Sequence, residues 1–169
     1  SGYGISPLRT FSNPPAFDWN DVLGGCTKIK GHVNFPNQSH TDPGSGWDWE
    51  FYYQLINDNP STTTLTAGSG NFHDSGGASI NYSDDERELY LFSPSNSTSV
   101  TLTFTQFDLE QDWDYLYIYD GNSLSDPLVG IYTGTNSPGT VTSTGGELLV
   151  EFRSDCANNN AGWAANWTS

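Results

Sequence analysis

The chain has few basic residues and few charges of any kind. Its 169 residues contain 5 Lys and Arg against 20 Asp and Glu, which gives a formal charge of -15 at pH 7. Nucleic acids and anionic membrane surfaces would repel such a chain, so the charge argues against both as partners. No apolar run approaches the roughly 18 residues that a membrane helix needs, which argues against membrane insertion.

Helix-forming residues are also scarce. Met is absent, and Lys occurs only at Lys28 and Lys30. Ser, Thr, Asn and Gly are abundant, as is typical of strands and turns. The 9 Phe, 9 Tyr and 6 Trp residues supply large buried areas, which favours a folded chain over a disordered one. We therefore expect an all-β protein.

The chain has only two cysteines, Cys26 and Cys156. They suit one intramolecular disulfide in an oxidising compartment, and the alternatives are two free thiols or an intermolecular bridge. Four Asn-x-Ser/Thr sequons are consistent with a secreted, glycosylated protein. They begin at Asn37, Asn81, Asn96 and Asn166.

The charge divides the chain into two parts. Residues 1–65 hold 6 acids and 3 bases, whereas residues 66–169 hold 14 acids and 2 bases, a charge of -12. The first part is broken by prolines, and its clearest element is Trp47–Leu55, which has an aromatic or apolar residue at every second position. About 65 residues make a marginal core, so we predict a β-rich extension that packs on the second part or on a neighbouring molecule. The segment 61–70 resembles a flexible linker.

Short strands recur through residues 66–169. Apolar residues alternate with threonines from Val100 to Thr105, which is the period of a strand with one buried face. Leu116 with Ile118 repeats this pattern, and so do segments 128–132, 148–152 and 163–167. Strands at this spacing, with no helical pattern between them, predict an antiparallel β-sandwich.

The densest cluster of acids lies between two of these strands. Glu110, Asp112 and Asp114 fall within five residues, and no Lys or Arg occurs between Glu88 and Glu151. A hard divalent cation such as Ca²⁺ would relieve their mutual repulsion. The spacing does not fit the EF-hand loop, and a solvated acidic loop is the alternative.

Residues 72–169 resemble a CUB domain, the extracellular antiparallel β-sandwich module with a jelly-roll fold. The resemblance rests on three ordered motifs. These are Phe72-His-Asp-Ser-Gly-Gly77 with Asn81-Tyr82, then Phe107-Asp-Leu-Glu110 with Asp114-Tyr-Leu-Tyr-Ile-Tyr-Asp-Gly121, and finally Phe152-Arg-Ser-Asp155 with Gly162-Trp163.

The resemblance implies a calcium site and a class of partner. By position in the family's motifs, the calcium ligands would be Glu110, Asp114 and Asp155, with backbone carbonyls near Asn158. Such carboxylates would keep capacity for a partner's Lys or other basic group. The segment from Glu110 to Asp114 is shorter than in many members and lacks a cysteine often found there. A Cys26–Cys156 bridge would depart from the family's disulfide pattern and tie the extension to the calcium end.

Enzyme signatures are weak. Asp74-Ser-Gly-Gly77 is similar to the nucleophile segment of trypsin-like proteases, but His73 replaces the expected glycine. A pair of acids such as Asp108 and Glu110 would suit glycoside hydrolysis, yet its spacing equally suits metal ligands. The histidines have no metal-type spacing. We interpret the chain as non-catalytic.

One row of aromatic residues lies on the face of a predicted strand that points away from the core. If Leu116 and Ile118 face inward, the alternate residues face outward. They are candidates for binding a partner, and the alternatives are solvated cross-strand pairs, a stacked sugar, or cover by the extension or another subunit. This row comprises Trp113, Tyr115, Tyr117 and Tyr119.

These observations favour a secreted, calcium-binding CUB-like module that binds a protein partner, or a glycan, through its acidic site. The second hypothesis is a structural subunit of an extracellular filament, in which the extension adds strands to a neighbouring subunit's sheet. A glycoside hydrolase or its accessory domain is the third.

Overall fold

The computed structural model describes residues 60–155 and 158–169. These residues form nine strands and no helix, so no helix in the described part is long and apolar enough to span a membrane. The strands are β1 (Thr62–Leu65), β2 (Ser69–His73), β3 (Arg87–Phe92), β4 (Thr101–Asp108), β5 (Tyr115–Tyr119), β6 (Leu128–Tyr132), β7 (Thr140–Thr142), β8 (Leu148–Arg153) and β9 (Gly162–Thr168).

The strands form two sheets. One has five strands in the order β1-β3-β8-β5-β6, and the other has four in the order β2-β9-β4-β7. All strand pairs are antiparallel except β1 with β3. The chain crosses to the four-stranded sheet to form β2 between these two strands, and β3 then runs in the same direction as β1. The predicted all-β antiparallel sandwich is confirmed, and among the described strands the β1–β3 pair is the departure from antiparallel pairing.

The core lies between the two sheets, and alternation along the strands builds it. In β4, Leu102 and Phe104 are buried while Thr103 and Thr105 are exposed, as the alternating pattern predicts. Trp163 of β9 is fully buried against Phe152 of β8, with ring centroids 4.8 Å apart in an edge-on arrangement. Burial of large aromatic rings at this interface supplies much of the apolar area that stabilises the sandwich.

The structure differs from the sequence prediction at the segment 61–70. That segment contains β1 and the beginning of β2, and β1 aligns with β3 from the Thr62–Leu89 pair to the Leu65–Phe92 pair. The compact unit that contains these strands begins at Pro60. Thr-rich sequence suits an exposed edge strand as well as a linker, and composition alone does not distinguish the two.

The five-stranded sheet also carries a charged network on the face of β8 opposite the core. Glu151 and Arg153 are both fully buried, and the Arg153 guanidinium donates from Nε and Nη2 to the two Glu151 carboxylate oxygens, each at 2.8 Å. Arg87 Nε donates to Glu151 Oε1 at 3.0 Å. One carboxylate thus serves two arginines, the only basic residues between positions 60 and 169 apart from His73.

Candidate metal centre

Strand register brings the ends of β5 and β8 together. Tyr115 of β5 pairs with Arg153 of β8, and the strands are antiparallel. Asp114, one residue before Tyr115, and Asp155, two residues after Arg153, therefore lie at the same end of the sheet. The third acid, Glu110, follows the end of β4 in the other sheet.

A tight turn connects β4 to β5. The backbone N–H of Asp114 donates to the carbonyl of Glu110 at 3.1 Å. Thr133 forms two further hydrogen bonds to this turn. The Thr133 hydroxyl donates to the Glu110 carbonyl at 3.2 Å and accepts the Asp112 N–H at 2.9 Å. Asp112 has a φ of 63°, a left-handed conformation that Asp and Asn adopt more readily than most residues. This turn exposes Asp112.

Three carboxylates converge at this end of the sandwich. One oxygen from each of Glu110, Asp114 and Asp155 lies within 4.8 Å of the other two. Asp114 and Asp155 are each 1% exposed, whereas Glu110 is half-buried. Asp112, which the sequence places among the same acids, is not part of the group. The cluster is therefore two buried carboxylates and one that reaches solvent.

Tyr82 supports two of these acids. Its hydroxyl donates to Asp114 Oδ2 at 2.5 Å and accepts the backbone N–H of Glu110 at 3.0 Å. Burial, and then the neighbouring Asp114 charge, raise the pKa of Tyr82 well above its usual value, so the phenol stays a proton donor. The sequence contained this residue within the Asn81-Tyr82 motif, but nothing in its spacing assigned it to the acidic site.

Asn158 also lies at the site. Its side-chain amide donates to Glu110 Oε1 at 3.1 Å, and its φ is 63°. The sequence predicted only that backbone carbonyls near this residue would contribute. The side chain has a further role, because it orients the one carboxylate of the group that is partly open to solvent.

Replacing Tyr82 with Phe tests whether its two hydrogen bonds hold the acids in an arrangement that binds a metal. We expect Tyr82→Phe to weaken Ca²⁺ affinity by about tenfold or more, because outer-shell hydrogen bonds orient metal ligands. Calorimetric titration with Ca²⁺ measures the effect. Thr103→Val removes an exposed hydroxyl on β4 and serves as the control with unchanged affinity. Equal affinities for wild type and Tyr82→Phe would contradict this role.

The predicted aromatic row occupies several environments. Tyr117 and Tyr119 are buried at 6% and 7% exposure, and Trp113 and Tyr115 are half-buried. The Arg153 guanidinium lies over the Tyr117 ring, 4.5 Å from its centroid. Burial, and then the charges of Asp112 and Asp114, raise the pKa of Tyr115 to about 12. Cross-strand contact with the charged network thus gives Tyr117 a structural role, and partner binding by the row stays a prediction.

Asp74 has a structural role in the motif that is similar to a protease segment. It is 5% exposed, and its two carboxylate oxygens accept the backbone N–H groups of Gly76 and Trp163, each at 2.8 Å. Burial raises its pKa, and those two hydrogen bonds partly oppose the increase. The carboxylate joins the turn after β2 to the beginning of β9.

The other predicted sites fall in different places. Asn81, Asn96 and Asn166 are exposed, but the side-chain nitrogen of Asn81 donates to the Asn159 carbonyl at 2.7 Å. Glycosylation there would displace this hydrogen bond. Asn37, Cys26 and Cys156 lie outside the described residues. Glycosylation and the disulfide stay predictions.

Comparison with protein families gives one match. Residues 61–167 match the model of the CUB domain. The chain belongs to the CUB domain family. The match starts at β1, eleven residues before the first motif that the sequence suggested, and includes the three acids of the cluster.

Solved structures of extracellular proteins share the fold. The CUB1-EGF-CUB2 fragment of rat MASP-1 aligns over 64% of this chain and 42% of its own, with 24% identity and a TM-score of 0.55. The extracellular region of zebrafish Gpr126/Adgrg6 aligns over 65% and 15%, with 23% identity and a TM-score of 0.56. The MASP-1 CUB2 domain bound to Ca²⁺ aligns over 63% and 96%, with 23% identity and a TM-score of 0.55. No curated protein sequence matches the chain.

Proposed function

We propose that this CUB domain is a secreted, non-catalytic module that binds Ca²⁺ and, through the bound ion's acidic ligands, a basic group of a protein partner. The observation that carries the proposal is the convergence of Glu110, Asp114 and Asp155 within 4.8 Å. A solved CUB2 domain of MASP-1 is bound to Ca²⁺, which supports the same chemistry here.

The donor set fits calcium. Ca²⁺ takes six to eight oxygen ligands in flexible geometry. Glu110, Asp114 and Asp155 would supply carboxylate oxygens, the Asn158 carbonyl would supply another, and water would complete the shell. Among the described residues, the site offers carboxylates rather than the imidazole or thiolate ligands that zinc prefers. Bound Ca²⁺ would hold the β4–β5 turn and the segment after β8 in one arrangement.

The charge that remains after calcium binding suits a cation. Three carboxylates and one Ca²⁺ leave a net charge of about -1 at the site. Glu110 is half-buried and already accepts one hydrogen bond from Asn158, so its carboxylate is the one that solvent and a partner can reach. A partner ammonium would form a charge-assisted hydrogen bond to this carboxylate. The domain's overall negative charge would speed the encounter.

A lysine-bearing surface tests the partner class. We expect the chain to bind an immobilised Ac-Gly-Lys-Gly peptide in Ca²⁺ and to lose at least tenfold in affinity in a chelator. Surface plasmon resonance measures this, and the acetyl-lysine peptide is the negative surface. Asp114→Asn and Asp112→Asn have the same net charge, so general electrostatic attraction changes equally in both. Only Asp114→Asn should lose binding, because Asp114 belongs to the carboxylate cluster and Asp112 does not.

The charge-matched pair separates site binding from general attraction. If both variants bind the lysine surface equally, the interaction is overall electrostatics and the proposed partner class is wrong. If the wild type and Asp112→Asn both bind calcium but neither binds the lysine surface, the calcium site is supported and the proposed lysine preference is wrong. Residues 62–65 of the predicted extension 1–65 form β1 of the sandwich, and the packing of the rest of the extension on the sandwich or a neighbour stays a prediction.

A further inference from the structure

One edge of the five-stranded sheet carries an apolar strand that solvent can reach. β6 is the last strand in the order and pairs with β5, on one side, among the described residues. Leu128, Val129 and Ile131 are 48%, 44% and 47% exposed. Exposed edge strands are normally protected by charges, prolines or bulges, because their unpaired backbone groups can join another strand. β6 has a bulge at Val129 but no charged residue.

The other sheet edges differ from β6. β1 reads Thr-Thr-Thr-Leu, β2 reads Ser-Gly-Asn-Phe-His, and β7 has only three residues. The large exposed hydrophobic residues of the described chain are these three of β6 and Ile80. β6 is therefore the edge at which apolar surface and an open strand coincide.

Charge favours a second copy of this chain at that edge. No Asp, Glu, Lys or Arg occurs from Pro127 to Gly146, although the chain as a whole has a formal charge of -15. Two copies that met at most other surfaces would bring carboxylates together. At β6 they would meet through the longest uncharged part of residues 66–169.

The strand is also complementary to itself. In an antiparallel pair centred on Gly130, Val129 lies opposite Ile131 of the second copy, so these two exposed apolar residues meet. Leu128 precedes the bulge and lies outside this regular pairing. Asp126 lies before Leu128, so the paired segment contains no carboxylate.

We infer that this chain forms a two-fold symmetric dimer by antiparallel pairing of β6 with β6 of a second copy. The two five-stranded sheets become one continuous ten-stranded sheet. Because regular pairing covers only Val129–Ile131, next to the bulge in β6, the dimer is weak and concentration-dependent. The dimer does not require calcium, so a failure to find it would leave the proposed calcium site untouched.

Sedimentation velocity of the full chain tests the dimer, at concentrations up to about 1 mM and in a chelator. We expect a monomer–dimer equilibrium in the wild type. Ile131→Lys should raise the dissociation constant at least tenfold, because it places a charge at the pairing edge. Thr63→Lys, at the opposite edge of the same sheet, should leave the constant unchanged. Val129→Lys repeats the test if Ile131→Lys lowers the melting temperature.

Cross-linking tests the register. Val129→Cys and Ile131→Cys chains, mixed and oxidised, should form a heterodimeric disulfide at least fivefold faster than either variant alone. A wild type that stays monomeric, or a dimer that Ile131→Lys and Val129→Lys leave intact, would overturn the inference. A dimer that Thr63→Lys weakens equally would overturn it as well.

Discussion

Calcium should raise the melting temperature of this chain by roughly 5–10 °C when it is present at about 100 times its dissociation constant. Saturation at that level stabilises the folded state by about 2.7 kcal/mol, and each kcal/mol is worth about 2–4 °C for a chain of this size. The reason is specific to the site. Asp114 and Asp155 are each 1% exposed and within reach of one ion. Differential scanning calorimetry with and without a chelator measures the shift.

Substitutions at the cluster should remove this shift selectively. Asp155→Asn and Glu110→Gln each remove one charged ligand, so calcium should no longer raise the melting temperature of either variant. Asp112→Asn has the same charge change in the same turn, and Asn also tolerates its φ of 63°. It should keep the full shift. A calcium-dependent shift that survives Glu110→Gln combined with Asp155→Asn would refute the ligand assignment.

Glu151→Leu should be among the most destabilising single changes in the sandwich, at about 3–5 kcal/mol. The substitution removes the carboxylate that Arg153 and Arg87 share, and Arg153 is fully buried. Arg153→Met should cost less, because Glu151 would keep its hydrogen bond to Arg87 at 3.0 Å. Urea unfolding monitored by tryptophan fluorescence gives the free energies of unfolding.

A double variant and a matched control complete that test. Glu151→Leu combined with Arg153→Met should recover part of the loss, because it replaces a buried charged pair with apolar side chains. Glu147→Leu, at a half-buried position just before β8, should cost under about 1 kcal/mol. A Glu151→Leu chain within 1 kcal/mol of the wild type would show that the network contributes little to stability.

Much of the fold was predictable because its signal is local. Alternation in Leu102 and Phe104, in Leu116 and Ile118, and in Val150 and Phe152 marks a buried face whatever the partner strand is. The parallel pairing of β1 with β3 was not predictable in this way. Nothing in Thr62–Leu65 shows which strand lies beside it, because that depends on how the chain crosses between sheets.

Some residues of the candidate site were likewise predictable from the sequence, and others were not. Glu110, Asp114 and Asp155 were predictable from their positions in ordered motifs, and the structure brings their carboxylates together. Asp112 could not be separated from them by sequence, because a single left-handed φ decides which way the turn directs its side chain. Tyr82 was missed as a support because it reaches Asp114 across 32 positions, through packing of its ring on Phe152.

The charged network was harder to anticipate. Along β8 the sequence Leu-Leu-Val-Glu-Phe-Arg reads as one apolar face and one mixed face, and a mixed face is normally solvated. All six residues are buried. The buried Glu–Arg pair has diagonal partners on both neighbouring strands, Arg87 of β3 for Glu151 and Tyr117 of β5 for Arg153, and a linear sequence does not show which strands are neighbours.

Calorimetric titration of Ca²⁺ into the chelator-treated full chain tests whether the three carboxylates bind calcium. We predict one calcium ion per chain in the wild type and in Asp112→Asn. We predict no measurable binding in Asp155→Asn, whose far-UV circular dichroism should match the wild type. A wild type that binds no calcium, or an Asp155→Asn chain that binds one ion with unchanged affinity, would show that this cluster is not a calcium site.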